Sequence, residues 1–325
     1  MSVNTLIFVF TSIFLSGIFS SIFSSLLIKK NTFFKFIKRS DLRRNIEKDI
    51  LRIGGLAIYI SFIFTFLIIN KVINLDNEIL QSSHFSLFFI SPGLFFLIGL
   101  LDDLIALPPL PRLIGQILIA IFTWFGGLRI VVEHIPFFGS YFSEISSSSL
   151  LSFIITIIWI VGITNAFNWL DGLDGLASGI AILSLFGFIF MGFISNNFFI
   201  IIVCSMVAGS SAGFLYHNFY PAKIYMGDSG SYFIGSIISL IPISLINTYN
   251  FKGDLLSPLI ILAIPILDMA SVIFNRILES RSPFYPDRSH LHHKFIDWGF
   301  SHKKSVLAIY YLDLIAIVIF LMIYI

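Results

Sequence analysis

Charged residues are scarce in this chain of 325 residues, where Asp, Glu, Lys and Arg together make up 12% of the sequence. Soluble domains contain roughly a quarter, so the composition excludes an ordinary soluble globular protein. Hydrophobic residues make up 57% of the chain, and the mean hydropathy is +0.95. The composition therefore predicts an all-α polytopic membrane protein, with residues 1–325 forming a single integral membrane domain.

Cysteine is almost absent, since Cys204 is the single one in the sequence, and an intrachain disulfide is therefore excluded. Cys204 lies in an apolar run, and we interpret it as a small buried hydrophobic residue. The sequence also shows no convincing internal repeat, no soluble domain and no recognisable nucleic-acid surface. The expected surroundings are the lipid bilayer, and nucleic acid is not an expected partner.

About ten apolar stretches are long enough, or nearly long enough, to cross a bilayer. The first is too long for the apolar core of a signal peptide, and Lys29 and Lys30 follow it. The positive-inside rule then predicts an external N-terminus and a cytoplasmic first loop. On that topology the Lys and Arg residues outside the cytoplasmic side are only Lys71, Arg129 and Lys252. The approximate limits are 5–28, 53–70, 85–101, 113–130, 150–167, 176–194, 198–216, 229–247, 256–275 and 305–325.

The most informative segment is residues 165–177, where polar side chains recur every three residues between long apolar runs. These side chains are Asn165, Asn168, Asp171 and Asp174. Ionisable groups at membrane depth mark functional sites by default, and a spacing of three puts neighbouring pairs on one side of a helix. Gly172 and Gly175 predict that the helix opens into a loop here. Oxygen donors gathered at such a helix end suit magnesium and, through it, phosphate.

Four further polar segments fall on the predicted cytoplasmic side, namely 52–55, 102–103, 226–231 and 287–293. Asp102 and Asp103 could form an acidic helix cap. Repulsion between adjacent carboxylates would, however, raise the pKa of one of them and supply a base, unless a metal or a Lys relieves it. Residues 227–231 could form an ordinary turn. At the start of an apolar helix, however, they would offer backbone donors for phosphate and the Asp228 carboxylate for a cation.

The histidines His290, His292 and His293 suggest zinc at first sight. Neither thiolates nor a carboxylate at a defined helical spacing accompany them, as a zinc site would require. Because Arg288 and Lys294 lie beside them, we interpret the run as a phosphate-binding patch, with a structural metal as the alternative.

These segments together resemble the polyprenyl-phosphate N-acetylhexosamine-1-phosphate transferases, which start bacterial cell-wall and O-antigen assembly. The resemblance extends from Arg44 to Lys304 and is strongest in residues 165–177, 221–231 and 282–293. The His-Leu-His-His form is similar to the enzymes that transfer GlcNAc phosphate or related N-acetylated sugars. The muramoyl-pentapeptide branch, which usually has three consecutive histidines, is the alternative.

The resemblance implies transfer of a sugar 1-phosphate from UDP-GlcNAc, or a related UDP-FucNAc or UDP-QuiNAc, to undecaprenyl phosphate with release of UMP. This would be the first membrane step of O-antigen or cell-envelope polysaccharide synthesis. It also implies a location in the bacterial inner membrane, with an active site that faces the cytoplasm, and a homodimer is a further expectation. We expect direct attack by the lipid phosphate, and a covalent aspartyl-phosphate route is the alternative.

Roles for single residues follow from the same resemblance. Asp228 would hold Mg²⁺, or Mn²⁺, with Asn168 and Asp171, while Asp102 would be the catalytic base with Asp103 in support. Tyr225 would stack on uracil and Asn218 would read the nucleotide. The residues implied to bind substrate are Arg52, Asn165, Asp174, Asn218, Tyr225, Arg288, His290, His292 and His293.

Two supporting residues and one departure complete the comparison with the family pattern. Asp268 and Arg276, at the inner end of the ninth apolar stretch, match family positions and would support the residues that bind substrate. The family usually has Lys and prolines ahead of Arg-x-Gly-Gly, whereas Lys48 is displaced here by one position, which puts its role in doubt.

A function from another class is a cation-coupled transporter or lipid flippase. Such a protein would place ionisable residues near the bilayer midplane, within two related halves that contain interrupted helices. Most carboxylates here concentrate at one membrane face instead, and only Asp268 and Asp313 fall within the apolar stretches.

Overall fold

A computed structural model describes residues 3–30, 50–73, 83–131, 149–246, 255–282 and 289–324, and every regular element in these ranges is a helix. The helices are α1 (Val3–Lys29), α2 (Gly54–Ile73), α3 (Ser83–Ile105), α4 (Pro109–Phe125), α5 (Ser149–Leu170), α6 (Leu176–Ile194), α7 (Phe198–Asn218), α8 (Gly227–Ile246), α9 (Leu256–Ile261), α10 (Ala263–Leu278), α11 (Leu291–Asp297) and α12 (His302–Tyr324). Of these helices, 8 are long and apolar enough to cross a membrane. The predicted all-α polytopic membrane fold is confirmed.

Two of the predicted apolar stretches differ from a simple membrane-crossing helix. The fourth is α4, which has 17 residues. The ninth is divided into α9 and α10 at Leu262. Pro265 gives the physical reason, because it lacks an N–H and its ring would clash with the carbonyl of Ile261, where α9 ends.

Helix α8 forms the centre of the bundle and is almost entirely buried. Its neighbours approach its N-terminal end through glycines. A Cβ atom on Gly55 of α2 would lie 2.1 Å from the backbone nitrogen of Gly230, and one on Gly99 of α3 would lie 2.3 Å from the carbonyl oxygen of Asp228. Close backbone contact through small residues is how membrane helices pack without a hydrophobic driving force. This packing brings the start of α2 and the C-terminal part of α3 directly against the start of α8.

Helices α1 and α12 lie at the periphery, where only a small share of their residues is buried and many apolar side chains are exposed. Inside the bundle, α5 packs against α4, α8 and α10, and α12 packs against α6, α9, α10 and α11. Hydrogen bonds show that the end of α3, the start of α4, the end of α5 and the starts of α6 and α8 meet at one end of the bundle. This end carries the polar segments.

Candidate active site

One arginine links carboxylates from two helices at this end of the bundle. Asp102 lies in the last turn of α3, Asp228 in the first turn of α8, and Arg112 in the first turn of α4. Arg112 Nη1 donates to Asp102 Oδ2 at 2.9 Å and to Asp228 Oδ2 at 3.1 Å. Arg52 Nη2 lies 3.8 Å from the other oxygen of Asp228. Because buried carboxylates are costly without a counter-charge, the two arginines offset a concentration of negative charge.

Asp103 points the other way and binds the N-terminal end of α8. Its Oδ1 accepts the backbone N–H of Asp228 at 2.8 Å, and its Oδ2 accepts the backbone N–H of Ser229 at 3.0 Å and the Ser229 hydroxyl at 2.7 Å. Negative charge is favourable at a helix N-terminus, where the first N–H groups have no partner within the helix. Gly227, at φ +75°, has no room for a Cβ atom beside this carboxylate.

The segment 165–177 forms the end of α5, a loop and the start of α6, as the two glycines predict. Gly175 has φ +83° and directly precedes α6. Asn168 donates from Nδ2 to Ser231 Oγ at 2.9 Å, which places its amide beside the first turn of α8. Asn165 lies one turn deeper and donates to Gln116 Oε1 at 2.7 Å. Asp171 directly follows α5, and its backbone N–H bonds to the carbonyl of Asn168 at 3.3 Å.

Two of the predicted substrate-binding residues hold loops together. Asp174 Oδ2 accepts the backbone N–H of Ala222 at 3.1 Å. Asn218 accepts the N–H of Gly175 at 3.0 Å and donates to the carbonyl of Ile224 at 2.9 Å. Both side chains are buried, and these bonds shape the loops on either side of the site. Direct contact of either side chain with substrate stays a prediction.

The segment around Arg52 pairs with the segment that leads into α8. The backbone N–H of Tyr225 donates to the carbonyl of Leu51 at 2.8 Å, and the N–H of Gly54 donates to the carbonyl of Tyr225 at 2.9 Å. These bonds bring Arg52 to Asp228 and leave Tyr225 half-buried at the edge of the site. Arg288 and Lys48 lie outside the described residues.

The three histidines lie together at the start of α11. The ring centres of His290 and His292 are 5.4 Å apart, and those of His292 and His293 are 4.3 Å apart. His292 lies against the loop after α5, since a Cβ atom on Gly172 would be 2.4 Å from its Nε2. The rings of His290 and of Trp169, at the end of α5, are nearly perpendicular, with their centres 5.8 Å apart. The histidine patch is therefore packed against the polar end of α5.

Behind this patch lies α10, which carries the two predicted supporting residues. His290 Nδ1 lies 2.9 Å from Asp268 Oδ2, and the Arg276 guanidinium stacks on the Trp169 ring at 4.9 Å. Both side chains are buried. The structure thus brings Asp268 and Arg276 to the back of the patch.

Among the described residues, no group of three or more His, Cys, Asp or Glu side chains is arranged to hold a metal ion. Within these residues, nothing supports the alternative that the histidines bind a structural metal. Magnesium has different requirements, because it keeps several waters and binds one or two carboxylates together with substrate phosphates. The carboxylate of Asp228 lies beside that of Asp102, in the helix turn that the Asn168 amide contacts through Ser231, and this set of hard oxygen donors fits magnesium.

Arg112 was not among the predicted site residues, since the sequence placed it only with the basic residues of the cytoplasmic side. Its signal was a lone charge between Pro108 and a long apolar run, which marks function by the same reasoning as the carboxylates. Gln116, the partner of Asn165, was also missed. It is one of few polar side chains in an apolar helix and had the same signal.

Membrane-crossing helices that enclose carboxylates, amides and histidines at one end define a polytopic membrane protein with a polar site near one membrane surface. Comparison with known proteins names the family. Residues 85–246 match the model of glycosyl transferase family 4. The chain is 34% identical over 271 residues to a probable undecaprenyl-phosphate N-acetylglucosaminyl 1-phosphate transferase of Bacillus subtilis, covering 83% of this chain and 72% of the relative. The chain belongs to glycosyl transferase family 4.

Two further relatives cover a similar share of the chain. A decaprenyl-phosphate N-acetylglucosaminephosphotransferase of Mycolicibacterium smegmatis is 36% identical over 279 residues, which are 80% of this chain and 68% of the relative. An undecaprenyl-phosphate alpha-N-acetylglucosaminyl 1-phosphate transferase of Escherichia coli K12 is 27% identical over 310 residues, which are 93% of this chain and 78% of the relative.

Proposed function

We propose that this protein transfers N-acetylglucosamine 1-phosphate, or a closely related N-acetylhexosamine 1-phosphate, from its UDP-sugar to undecaprenyl phosphate and releases UMP. The observation that carries the proposal is the cluster of Asp102, Arg112 and Asp228 where three helices meet at one end of the bundle. The names of the relatives support a polyprenyl phosphate acceptor and GlcNAc phosphate, and they do not favour the muramoyl-pentapeptide alternative. A role in starting O-antigen or cell-envelope polysaccharide is part of the proposal.

The site has to bring two anions together. Asp228 and the amide oxygen of Asn168 would hold Mg²⁺, with Asp171 close by, and the bound ion would offset the negative charge of the pyrophosphate. Arg52 and the histidine patch would bind phosphate oxygens from two sides, because cationic and imidazole N–H groups donate to them. Holding both substrates in line supplies much of the rate in phosphoryl transfer.

Asp102 is the proposed base. Its carboxylate is buried and held by Arg112, so its position is fixed relative to Asp228. It would take the proton of the lipid phosphate, whose oxygen then bonds to the β-phosphorus of the UDP-sugar. The bond from the β-phosphorus to the bridging oxygen breaks, and its electron pair leaves with UMP. Trapping of a labelled phospho-enzyme with UDP-sugar alone would instead indicate a covalent route.

Asp103 has a different proposed role, which is to fix α8. All three of its hydrogen bonds go to the first turn of that helix, so it places the Asp228 carboxylate relative to Asp102. We propose the bacterial inner membrane as the location, with the N-terminus outside and the site on the cytoplasmic side, because the basic residues favour that orientation. The prenyl tail would lie along apolar side chains that α4, α5 and α10 expose, which include Leu118, Ile158 and Phe274.

The test is UMP release by the purified protein in detergent with undecaprenyl phosphate, magnesium and a panel of UDP-N-acetylhexosamines. Asp228→Ala should abolish the activity, whereas Asp297→Ala, at an exposed acid of α11, should retain it. Lipid-dependent UMP from one sugar would identify the donor. If the folded protein releases no UMP from any of them, the proposal fails and the transport alternative has to be tested.

A further inference from the structure

The carboxylate of Asp268 is fully engaged by the start of α11. Its Oδ2 lies 2.9 Å from His290 Nδ1, and its Oδ1 accepts the backbone N–H of Leu291 at 2.6 Å. Asp268 lies on α10, three residues after Pro265, and only 4% of its surface is exposed. One buried side chain therefore determines where α11 begins and how the first ring of the histidine patch is turned.

The contact between Asp268 and His290 also determines which ring nitrogen of His290 carries a hydrogen. An ionised carboxylate can only accept hydrogen bonds, so the contact at 2.9 Å requires a hydrogen on Nδ1. A neutral imidazole has one N–H, and the bond made by one nitrogen decides the state of the other. When the ring is neutral, Nε2 is therefore the nitrogen with the free electron pair.

We propose that Asp268 is a positioning residue, which holds His290 in the Nδ1–H tautomer and thereby places the whole histidine patch. The patch follows His290, because its ring stacks on His292 with planes 13° apart, and His292 in turn contacts His293. The Trp169 ring also packs against the His290 ring, nearly perpendicular to it. This inference rests on the proposed function, since the patch is the proposed phosphate-binding surface.

The substitution Asp268→Asn distinguishes this role from simple packing through the chemistry of the asparagine side chain. It has nearly the same shape as aspartate, but it has one acceptor oxygen and one NH₂ group. The N–H of Leu291 can bond only to the oxygen. The NH₂ group then faces His290 Nδ1, which has to give up its hydrogen and become an acceptor. Asp268→Asn should therefore switch His290 to the Nε2–H tautomer without creating a cavity.

The experiment is NMR spectroscopy of the full chain in detergent with ¹³C,¹⁵N-labelled histidine, at a pH where the rings are neutral. His290→Gln assigns the signal. We expect the Nδ1–H tautomer in the wild type, the Nε2–H tautomer in Asp268→Asn, and a return of the Nδ1–H tautomer in Asp268→Glu, where a carboxylate is restored. An Nε2–H tautomer in the wild type, or no change in Asp268→Asn, would overturn the inference.

Enzyme kinetics test whether the position of the histidine patch affects substrate binding. Asp268→Asn should raise KM for the UDP-sugar or the lipid phosphate at least about tenfold, with an unchanged Tm, and Asp268→Glu should recover part of that loss. A tautomer switch without any change in KM would show that the patch does not depend on Asp268, which overturns the positioning role. The NMR result stands without activity. If the wild type releases no UMP, the proposed function fails while the tautomer is still decided.

Discussion

Asp103 and Ser229 are joined by two hydrogen bonds to one carboxylate oxygen, from the backbone N–H of Ser229 at 3.0 Å and from its hydroxyl at 2.7 Å. The bonds tie the last turn of α3 to the first turn of α8. Since Asp102 and Asp228 are direct neighbours of these residues in the sequence, the same contact fixes the distance between the proposed base and the proposed metal ligand. A catalytic pair on two separate helices requires such a connection.

Replacement of Asp103 should loosen this connection. Asp103→Asn keeps the size of the side chain but loses the charge and one acceptor, so an N–H of α8 loses its partner. We expect a loss of about 1.5–3 kcal/mol in the free energy of unfolding, because hydrogen bonds to charged groups contribute that much. Thermal unfolding in detergent measures the loss of stability, and UMP release measures the accompanying loss of activity. Asp297→Asn is the exposed control, and an Asp103→Asn protein with wild-type stability and activity would contradict the assignment.

Arg112 should be essential for activity rather than for membrane insertion. In Arg112→Met the carboxylates of Asp102 and Asp228 lose the cation between them, and their mutual repulsion displaces both. We expect kcat/KM for UMP release to fall at least about 100-fold, which is typical for loss of a group that stabilises charge at a reacting centre. Arg129→Met is the matched control, since Arg129 is exposed and stacks on Trp124. Equal activity of the two variants would show that Arg112 has no part in the reaction.

The helices could be predicted because each membrane crossing requires a long apolar run, and such runs are visible without knowledge of their partners. The clustering of the polar segments at one end follows from the same runs, because alternating crossings return every second loop to the same side. The break between α9 and α10 had a local signal in Pro265, although hydropathy alone did not reveal it.

The contacts within the site could not be predicted in the same way. His290 and Asp268 are 22 residues apart, and their bond depends on how the chain returns from α10 to α11. Asn218 resembles a nucleotide-binding amide in sequence, yet its oxygen and its NH₂ group both bond to the protein backbone. A motif shows which residues approach a site, and only the packing of helices shows which partner each side chain takes.

Gly172 should be required for the position of His292. A methyl group there would lie 2.4 Å from His292 Nε2, so Gly172→Ala has to push the ring away from the loop. We expect UMP release to fall at least about tenfold with little change in Tm, because misplacement of a binding group by a fraction of an ångström costs rate. Gly162→Ala on α5 is the control, since its Cβ atom would meet only Met269, at an ordinary 3.8 Å. Wild-type activity of Gly172→Ala would show that the position of His292 does not matter for the reaction.

Removal of divalent metal should abolish the reaction, and the residues that bind the metal can be identified. Asp228 and Asn168 offer one carboxylate and one amide oxygen, too few to enclose an ion but enough for magnesium that also binds substrate phosphates. We therefore expect UMP release to stop in EDTA, to return with Mg²⁺ or Mn²⁺, and to return poorly with the larger Ca²⁺.

The magnesium concentration for half-maximal activity then tests the proposed ligands. It should rise at least about tenfold in Asn168→Ala, while Asp297→Ala should match the wild type. A rise is expected because the amide is one of few protein groups on the ion, and its loss leaves the substrate phosphates and Asp228 to hold it. Full activity in EDTA would refute a metal-dependent reaction. An unchanged magnesium requirement in Asn168→Ala would remove Asn168 from the ligand set and leave Asp228 and Asp171 to be tested next.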